Sequence, residues 1–305
     1  MIINNCIENR LSIIIVTYNR CSKLEDTLKS IDISPVRNCP ITVLDNKSTD
    51  DTRNMCIKFA KDKKNYNIIT NPVNLGSGSA NIIQAIYYCQ TEYMWIICDD
   101  DTYDFSFFED VEDEIIRGRA DIIQVGAHND SKWDWGIYDT PRNLLGRGYN
   151  YFKYSSFTPC SIIKYSYFLK NISEAYNFVP YRYSHFPNLI LAYENDAHVY
   201  VSKKRIVIAT IGVQPYSYYI PFRGYVMASK YLSNIEDKKN LIKSVFDNSK
   251  LWIRGSIVLC LRYRKEFDIS LVRSLLYKCM TFKEKTTFAL LLPLYFIKAS
   301  IDNRK

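Results

Sequence analysis

Residues 92–101 read EYMWIICDDD. An apolar run at 94–98 stops at three consecutive aspartates, and the nature of that run decides the fold. It is short, contains two isoleucines and is bounded by charge, which describes a strand buried on both faces. The same form recurs upstream at 11–17 (LSIIIVT), 41–45 (ITVLD) and 66–70 (YNIIT). Between these runs, 21–33 carries Leu24, Leu28 and Ile31 at helical spacing, and 50–62 carries Met55, Ile57 and Phe59. A turn-rich segment at 71–79 leads into a further helical stretch at 80–89. Strand and helix alternate, so the spacing predicts βαβ units, a mainly parallel sheet with flanking helices and the α/β class.

Beyond residue 102 the pattern loosens. Strands are expected at 121–125 and 198–201 and a helix at 184–195. The segment 131–148, rich in Trp, Gly, Asp and Arg, reads as a loop over a cleft. From 213 the pattern turns helical. Asp268 is placed to cap a helix whose apolar face is Ile269, Val272, Leu276 and Cys279. Thr281 and Glu284 have capping-box spacing before another helix.

The 305 residues are about two domains' worth of chain. With 47% hydrophobic and 24% charged residues, and only 10 Gly and 10 Pro, the composition is that of a folded protein and excludes collagen and disorder. Nine cysteines, none in a CxxC pair, fit reduced thiols in a cytosolic protein, and three histidines argue against a zinc cluster. The N-terminus lacks the basic start and apolar stretch of a signal peptide, and no run of apolar residues is long enough to span a bilayer. Charge is polarised. Residues 203–305 hold 20 Lys and Arg against 7 Asp and Glu, a net of +13, whereas 1–202 sum to −5. One end of the chain therefore seeks anions.

Ligands of open α/β sheets bind beyond the carboxyl ends of strands. Here those ends read Thr17-Tyr18-Asn19-Arg20, Asp45-Asn46-Lys47-Ser48-Thr49-Asp50-Asp51 and Asp99-Asp100-Asp101. Ser48–Asp51 is equally readable as a helix N-cap. Three adjacent carboxylates repel one another unless a cation compensates, and a hard divalent ion such as Mg²⁺ uses carboxylates together with substrate phosphates.

Four segments, LSIIIVTYNR (11–20), ITVLDNKSTDDT (41–52), NPVNLGSGSANIIQAI (71–86) and EYMWIICDDD (92–101), resemble glycosyltransferase family 2 in order and spacing. The resemblance implies a GT-A fold, a nucleotide-diphosphate sugar donor, an acceptor hydroxyl and a divalent cation, Mg²⁺ or Mn²⁺. It implies that Thr17, Tyr18 and Asn19 line the base and ribose pocket and that Asp45 bonds the base. Asn74, Leu75 and Gly76 then shape the loop beside the nucleotide. Asp99 and Asp100 belong to the donor pocket, and Asp101, with Asp99, to the metal. The implied organisation is a catalytic domain over 1–212, with a nucleotide-sugar half at 1–102 and an acceptor half at 103–212, followed by a basic helical region at 213–305.

A rival reading, a dinucleotide fingerprint at Gly76-x-Gly78, fails on its third glycine, which is Asn81, and on its place in the third βα unit. Transfer with inversion also needs a base. Family members often place an acidic pair at the start of a helix before a late strand, and this chain has Ser184 and His185 there instead. His185 is the first choice on intrinsic pKa, with Glu194 and Asp196 as alternatives. His198 is a candidate third metal ligand, and His128 is expected to face the acceptor cleft.

The basic end interleaves charge with large apolar groups, as in Leu251-Trp252-Ile253-Arg254, and 288–297 (FALLLPLYFI) has the length of an interfacial segment. Docking on an anionic membrane follows as an expectation, with a lipid-linked saccharide acceptor and a place at the cytoplasmic face of the cell membrane. Surface-polysaccharide (lipopolysaccharide O-antigen) assembly is the analogy. The rivals are a nucleotidylyltransferase of related half-fold, which would carry a Gly-rich basic loop after the first strand, and a nucleic-acid-binding module, which has no need of three aspartates. No nucleic acid is expected as partner.

Overall fold

The computed structural model describes residues 6–126, 133–209, 219–246 and 251–302. The chain divides into two compact units, Met1–Val213 and Gln214–Lys305.

The first unit is built on strands β1 (Leu11–Thr17), β2 (Ile41–Asp45), β3 (Tyr66–Thr70) and β4 (Tyr93–Cys98). They alternate with helices α1 (Cys21–Asp32), α2 (Thr52–Ala60) and α3 (Gly78–Ile86). After β4 come a short β5 (Thr102–Tyr103), α4 (Glu109–Arg117), β6 (Ile122–Gln124) and β7 (Ile137–Asp139). Helices α5 (Pro141–Gly146) and α6 (Tyr151–Ser155) lead to β8 (Ser161–Lys164). Then follow α7 (Tyr165–Lys170), α8 (Ile172–Asn177), α9 (Phe186–Glu194), β9 (Val199–Val201) and β10 (Val207–Ile208).

Eight of these strands form one sheet in the order β3-β2-β1-β4-β8-β6-β9-β7. The first four are mutually parallel. β8 is antiparallel to both β4 and β6, while β6 and β9 are parallel to each other. The carboxyl ends of β1–β4, β6 and β9 therefore share one edge. β5 and β10 form a separate antiparallel pair.

The sequence explains the layers. β1 is buried along almost its whole length, as a central parallel strand must be. Ile13, Ile15, Val43, Trp95 and Ile97 share a core with Leu24, Leu28 and Ile31 of α1 and with Val111 and Ile115 of α4. α3 buries Ile82, Ile83 and Ile86 and packs against β1 and β2. Trp95 anchors the centre: its indole N–H donates to the Pro159 carbonyl at 2.7 Å, and its ring stacks on Phe108.

One sequence reading changes. The described part of 131–148 is not an open loop. Trp133 is buried, donates to the Ser202 carbonyl at 3.0 Å and packs edge-on against Tyr149 and Tyr154. Strand β7 and helix α5 follow it. His128 lies outside the described residues.

The second unit is helical, with α10 (Tyr219–Ala228), α11 (Ile235–Lys243), α12 (Leu251–Arg262), α13 (Ile269–Cys279) and α14 (Phe282–Asp302). The capping box forms: the Thr281 N–H donates to Glu284 at 2.8 Å and the Glu284 N–H to the Thr281 hydroxyl at 3.3 Å. Asp268 stands at the N-cap of α13, but its side chain makes no cap bond. It takes a buried bidentate pair with Arg223 instead. Among the described residues, no helix is long and apolar enough to cross a membrane.

Candidate active site

Three strand ends converge at the shared edge. At the end of β1, Thr17 is buried and its hydroxyl donates to Asp99 Oδ2 at 2.7 Å, tying β1 to β4. Tyr18 is exposed. Asn19 takes a left-handed φ of 52°, which asparagine tolerates. Its side chain accepts from the Thr49 N–H at 2.8 Å, and its own N–H donates to the Ser48 hydroxyl at 2.9 Å. The loops after β1 and β2 are thus laced together.

At the end of β2, Asp45 is fully buried and accepts from the N–H of Ser48 at 3.0 Å and from its hydroxyl. Lys47, inside that turn, is held at a φ of 64°. Such strain persists only where its surroundings over-determine it. The Ser48–Asp51 segment supplies no side-chain cap bond from Asp51 to α2. Asp50 is the residue that bonds the Thr52 N–H, at 3.0 Å.

Asn46 was not singled out in the sequence, yet it organises the third loop. Its amide donates to Asn74 Oδ1 at 3.1 Å, and its carbonyl accepts from Asn71 at 3.0 Å and from the Leu75 N–H at 2.9 Å. Asn71 donates further to Asn81, and Asn81 to the Leu44 carbonyl. Asn74 also accepts from the Gly76 N–H at 2.7 Å, and Gly76 turns at a φ of 69° that a side chain would resist. A chain of four asparagines therefore fixes Asn74, Leu75 and Gly76 beside the end of β2. The available signal was asparagine recurring at strand ends and helix starts.

At the end of β4 the three carboxylates separate in role. Asp99 is buried against Thr17. Burial pushes its pKa up to about 6, against the opposing Thr17 hydrogen bond. Asp100 pairs with Arg20 at 2.9 Å. Oxygens of Asp100 and Asp101 and the Cys98 sulfur lie within 4.8 Å of one another. Asp101 thus groups with Asp100, while Asp99, the partner expected for it, has one carboxylate oxygen bonded to Thr17. The compensation that the sequence argument assigned wholly to a metal is partly supplied by Arg20. Tyr103, also missed, closes the turn. Its hydroxyl donates to the Cys98 carbonyl and accepts the Cys98 N–H, both at 3.0 Å. A cleft of about 300 Å³, lined by Lys23, Thr27 and Tyr103 among others, opens beside Asp100 and Asp101.

The donor set suits a hard divalent cation. Burial and then the neighbouring carboxylates push the Cys98 thiol well up. The Asp100 and Asp101 carboxylates could hold such an ion, since Mg²⁺ takes one or two carboxylates when phosphates complete its shell.

The base candidates fare differently. The register sets Val199 of β9 level with Ile122 of β6, and Ile122, through Ile163 of β8, level with Met94 at the start of β4. Glu194, Asp196 and His198 all precede β9 and belong to the amino end of the sheet. That end is about 20 Å of strand from Asp99 at ~3.3 Å per residue. Asp196 pairs with Arg142 at 3.5 Å. His198 stacks on Tyr138, and its backbone N–H donates to Asp121 at 3.0 Å. None of the three reaches the carboxylates, so His198 is not a ligand there and Glu194 and Asp196 are not the base. His185 does stand at the carboxyl edge, next to Ser156 and Thr158 ahead of β8. It is, however, buried and fully bonded. Nε2 lies 3.1 Å from the Ser156 carbonyl, which only accepts, so that nitrogen carries the proton. Nδ1 then accepts from the Thr158 hydroxyl at 3.2 Å. Burial drives its pKa down to about 4. This is the setting of a structural histidine, and the base role expected of it is withdrawn.

Comparison with protein families matches residues 12–176 to glycosyl transferase family 2. The chain belongs to this family. It is a glycosyltransferase of GT-A fold, and solved structures agree on the fold. S. aureus TarS 1–349 in complex with UDP-GlcNAc superposes with a TM-score of 0.59 at 16% identity, covering 87% of this chain and 90% of that one. The mannosyltransferase PcManGT from Pyrobaculum calidifontis, in complex with GDP-Man and Mn²⁺, gives 0.56 at 10% identity, covering 96% and 86%. Against the longer TarS chain the protein spans 54% of the length. No curated protein sequence matches the chain.

Proposed function

We propose that this glycosyltransferase moves a sugar from a nucleoside-diphosphate donor to a hydroxyl of a lipid-linked saccharide, with inversion and with a divalent cation, at the inner face of the cell membrane. The observation that carries the donor reading is the convergence of Thr17, Asp45 and Asp99–Asp101 on one sheet edge, locked by the Thr17–Asp99 bond. The UDP-GlcNAc, and the GDP-Man with Mn²⁺, in the two structural relatives support it.

In this reading residues 1–102 form the donor half and 103–212 the acceptor half. Thr17, Tyr18 and Asn19 border the base and ribose, and Asp45 receives the base. Asn74, Leu75 and Gly76 form the wall that the asparagine chain braces. Asp99 receives the ribose. Asp100 and Asp101 hold the cation, which when bound supplies positive charge to the leaving diphosphate. Arg20 holds Asp100 in place at 2.9 Å, and Tyr103 fixes the backbone from which all three carboxylates project.

The basic second unit supports the membrane part of the reading. Residues 214–305 contain 17 Lys and Arg against 7 Asp and Glu. Among the described residues, Asp268 and Glu266 pair with Arg223, Glu284 with Lys243 and Glu236 with Lys239 within the unit. The excess positive charge is left for an external anion.

A thermal-shift panel of nucleotide sugars, with and without Mn²⁺, tests the proposal. One sugar nucleotide should raise the melting temperature well beyond the others, and only with the metal. A flat panel in both conditions would refute it.

A further inference from the structure

The second unit contains a cavity larger than the cleft beside the carboxylates. It measures about 880 Å³ and lies among α12, α13 and α14. Its apolar wall is Leu261, Leu276, Met280, Phe288, Leu292 and Pro293. Arg264 and Arg273 also line it, and both are exposed. The Arg273 guanidinium is steadied by donation to the Cys260 carbonyl at 3.2 Å. α13 and α14 also expose Leu271, Tyr277, Leu290 and Leu294, of which Tyr277 lines the cavity.

An apolar cavity of this size is in the range of small-molecule sites. A protein partner would call for a broad patch of roughly 800 Å² per side instead. Nucleic acid would use the arginines and leave the hydrocarbon wall unmatched. The ligand that fits both features is amphipathic: a hydrocarbon chain for the wall and an anionic group for the two arginines. The apolar side chains that α13 and α14 expose, with Tyr277 on the lining itself, suit a unit that meets a bilayer surface, where such residues insert.

We propose that this cavity seats one hydrocarbon chain of an anionic membrane phospholipid, with Arg264 and Arg273 receiving its phosphate. The site rests on the reading that the basic unit works at an anionic membrane, and it adds a stoichiometric lipid to that surface attraction. General charge attraction is screened by salt at about 8–10 Å. A chain held in a cavity is not, so a bound lipid would keep the enzyme on the membrane at ionic strengths that release a merely basic surface.

The test uses the full chain, phosphatidylglycerol and phosphatidylcholine vesicles, and native mass spectrometry after detergent extraction and gel filtration. Wild type should sediment with phosphatidylglycerol vesicles at low salt and retain one phosphatidylglycerol per chain. Excess inorganic phosphate should not displace that lipid. Ser274→Trp places a bulky ring in the cavity from the exposed face of α13. It should abolish the retained lipid yet still sediment at low salt, with nucleoside diphosphate binding unchanged. The double variant Arg264→Gln/Arg273→Gln should keep the wall and lose roughly thirtyfold in its preference for the anionic lipid. Sedimentation without any retained lipid would overturn the cavity site and leave the membrane reading standing. Failure to sediment would overturn both. Retained lipid that survives Ser274→Trp, or a dimer that this substitution dissociates, would also refute the site, the latter by assigning the cavity to a second copy of the chain.

Discussion

Replacing Asn46 with alanine isolates the device that braces the donor loop. The side chain is 5% exposed and makes three hydrogen bonds of 2.9–3.1 Å. Its partners are not all orphaned by the change. Asn71 keeps its bond to Asn81, and Asn74 keeps the Gly76 N–H, so only the Leu75 N–H loses the partner identified for it. The cost is therefore nearer three net hydrogen bonds at about 1 kcal/mol each than three stranded groups at up to about 3 kcal/mol each. A loss of about 3 kcal/mol corresponds to a fall of roughly 6–12 °C in the melting of a unit this size. The freed loop must then be reordered by the donor. Refixing one residue costs about 1–2 kcal/mol, so the dissociation constant should rise about five- to thirtyfold. Circular dichroism melting and calorimetric titration of a nucleoside diphosphate with Mn²⁺ read the two effects. Asn46→Asp, which keeps the acceptor for Asn71 and Leu75, should show the smaller loss in both. An unchanged melting temperature would refute the network's structural role. A destabilised variant with wild-type affinity would refute its link to the donor.

His185→Ala should lower stability by about 2–3 kcal/mol, through two lost hydrogen bonds and lost packing, and leave the turnover number of the folded enzyme within about threefold. A fall of about 10²–10⁴-fold with unchanged melting would restore the base role. The same residue predicts a pH effect. Its folded pKa of about 4 lies below the unfolded value of about 6.5, so the unfolded chain binds more protons between them. Its contribution is intact above about pH 6.5 and is lost as pH falls toward 4, and melting curves of His185→Gln should show a shallower decline across that window. In the second unit, Asp268→Ala removes the buried bidentate partner of Arg223 and leaves it the Glu266 pair at 3.4 Å, which should cost about 2–3 kcal/mol in urea unfolding, with nucleoside diphosphate binding by the first unit retained.

The donor half was legible because a buried parallel strand has to be a short apolar run: β1, β2 and β4 are such strands, and β3, at the sheet edge, is a partly buried run of the same form. β1, β2 and β3 fall on the expected residues, and β4 begins one residue early at Tyr93. The acceptor half was less so. β8 is only Ser-Ile-Ile-Lys, followed at once by an aromatic helix, and its antiparallel place beside β4 comes from long-range pairing that no local period encodes. The strand-end residues were readable as polar clusters after apolar runs, although Ser48–Asp51 read equally well as a helix cap. Their division of labour was not. Nothing local says that Asp99 turns to Thr17 while Asp100 and Asp101 group with Cys98, because Thr17 and Arg20 arrive from another strand. The failure of Glu194, Asp196 and His198 has the same origin. Which end of the sheet a residue occupies depends on strand direction, and β9 runs parallel to β4.

The central claim is that the carboxyl edge of this sheet is a metal-dependent nucleotide site whose cation rests on Asp101 with Asp100. Calorimetric titration of nucleoside diphosphates into wild type and Asp101→Asn, each with Mn²⁺ and with chelator, tests it most directly. The account predicts that wild type binds one nucleoside diphosphate only when Mn²⁺ is present, and that Asp101→Asn, melting as wild type does, loses the metal-dependent part. Binding by Asp101→Asn that still responds to Mn²⁺, or no binding by wild type under either condition, would contradict it.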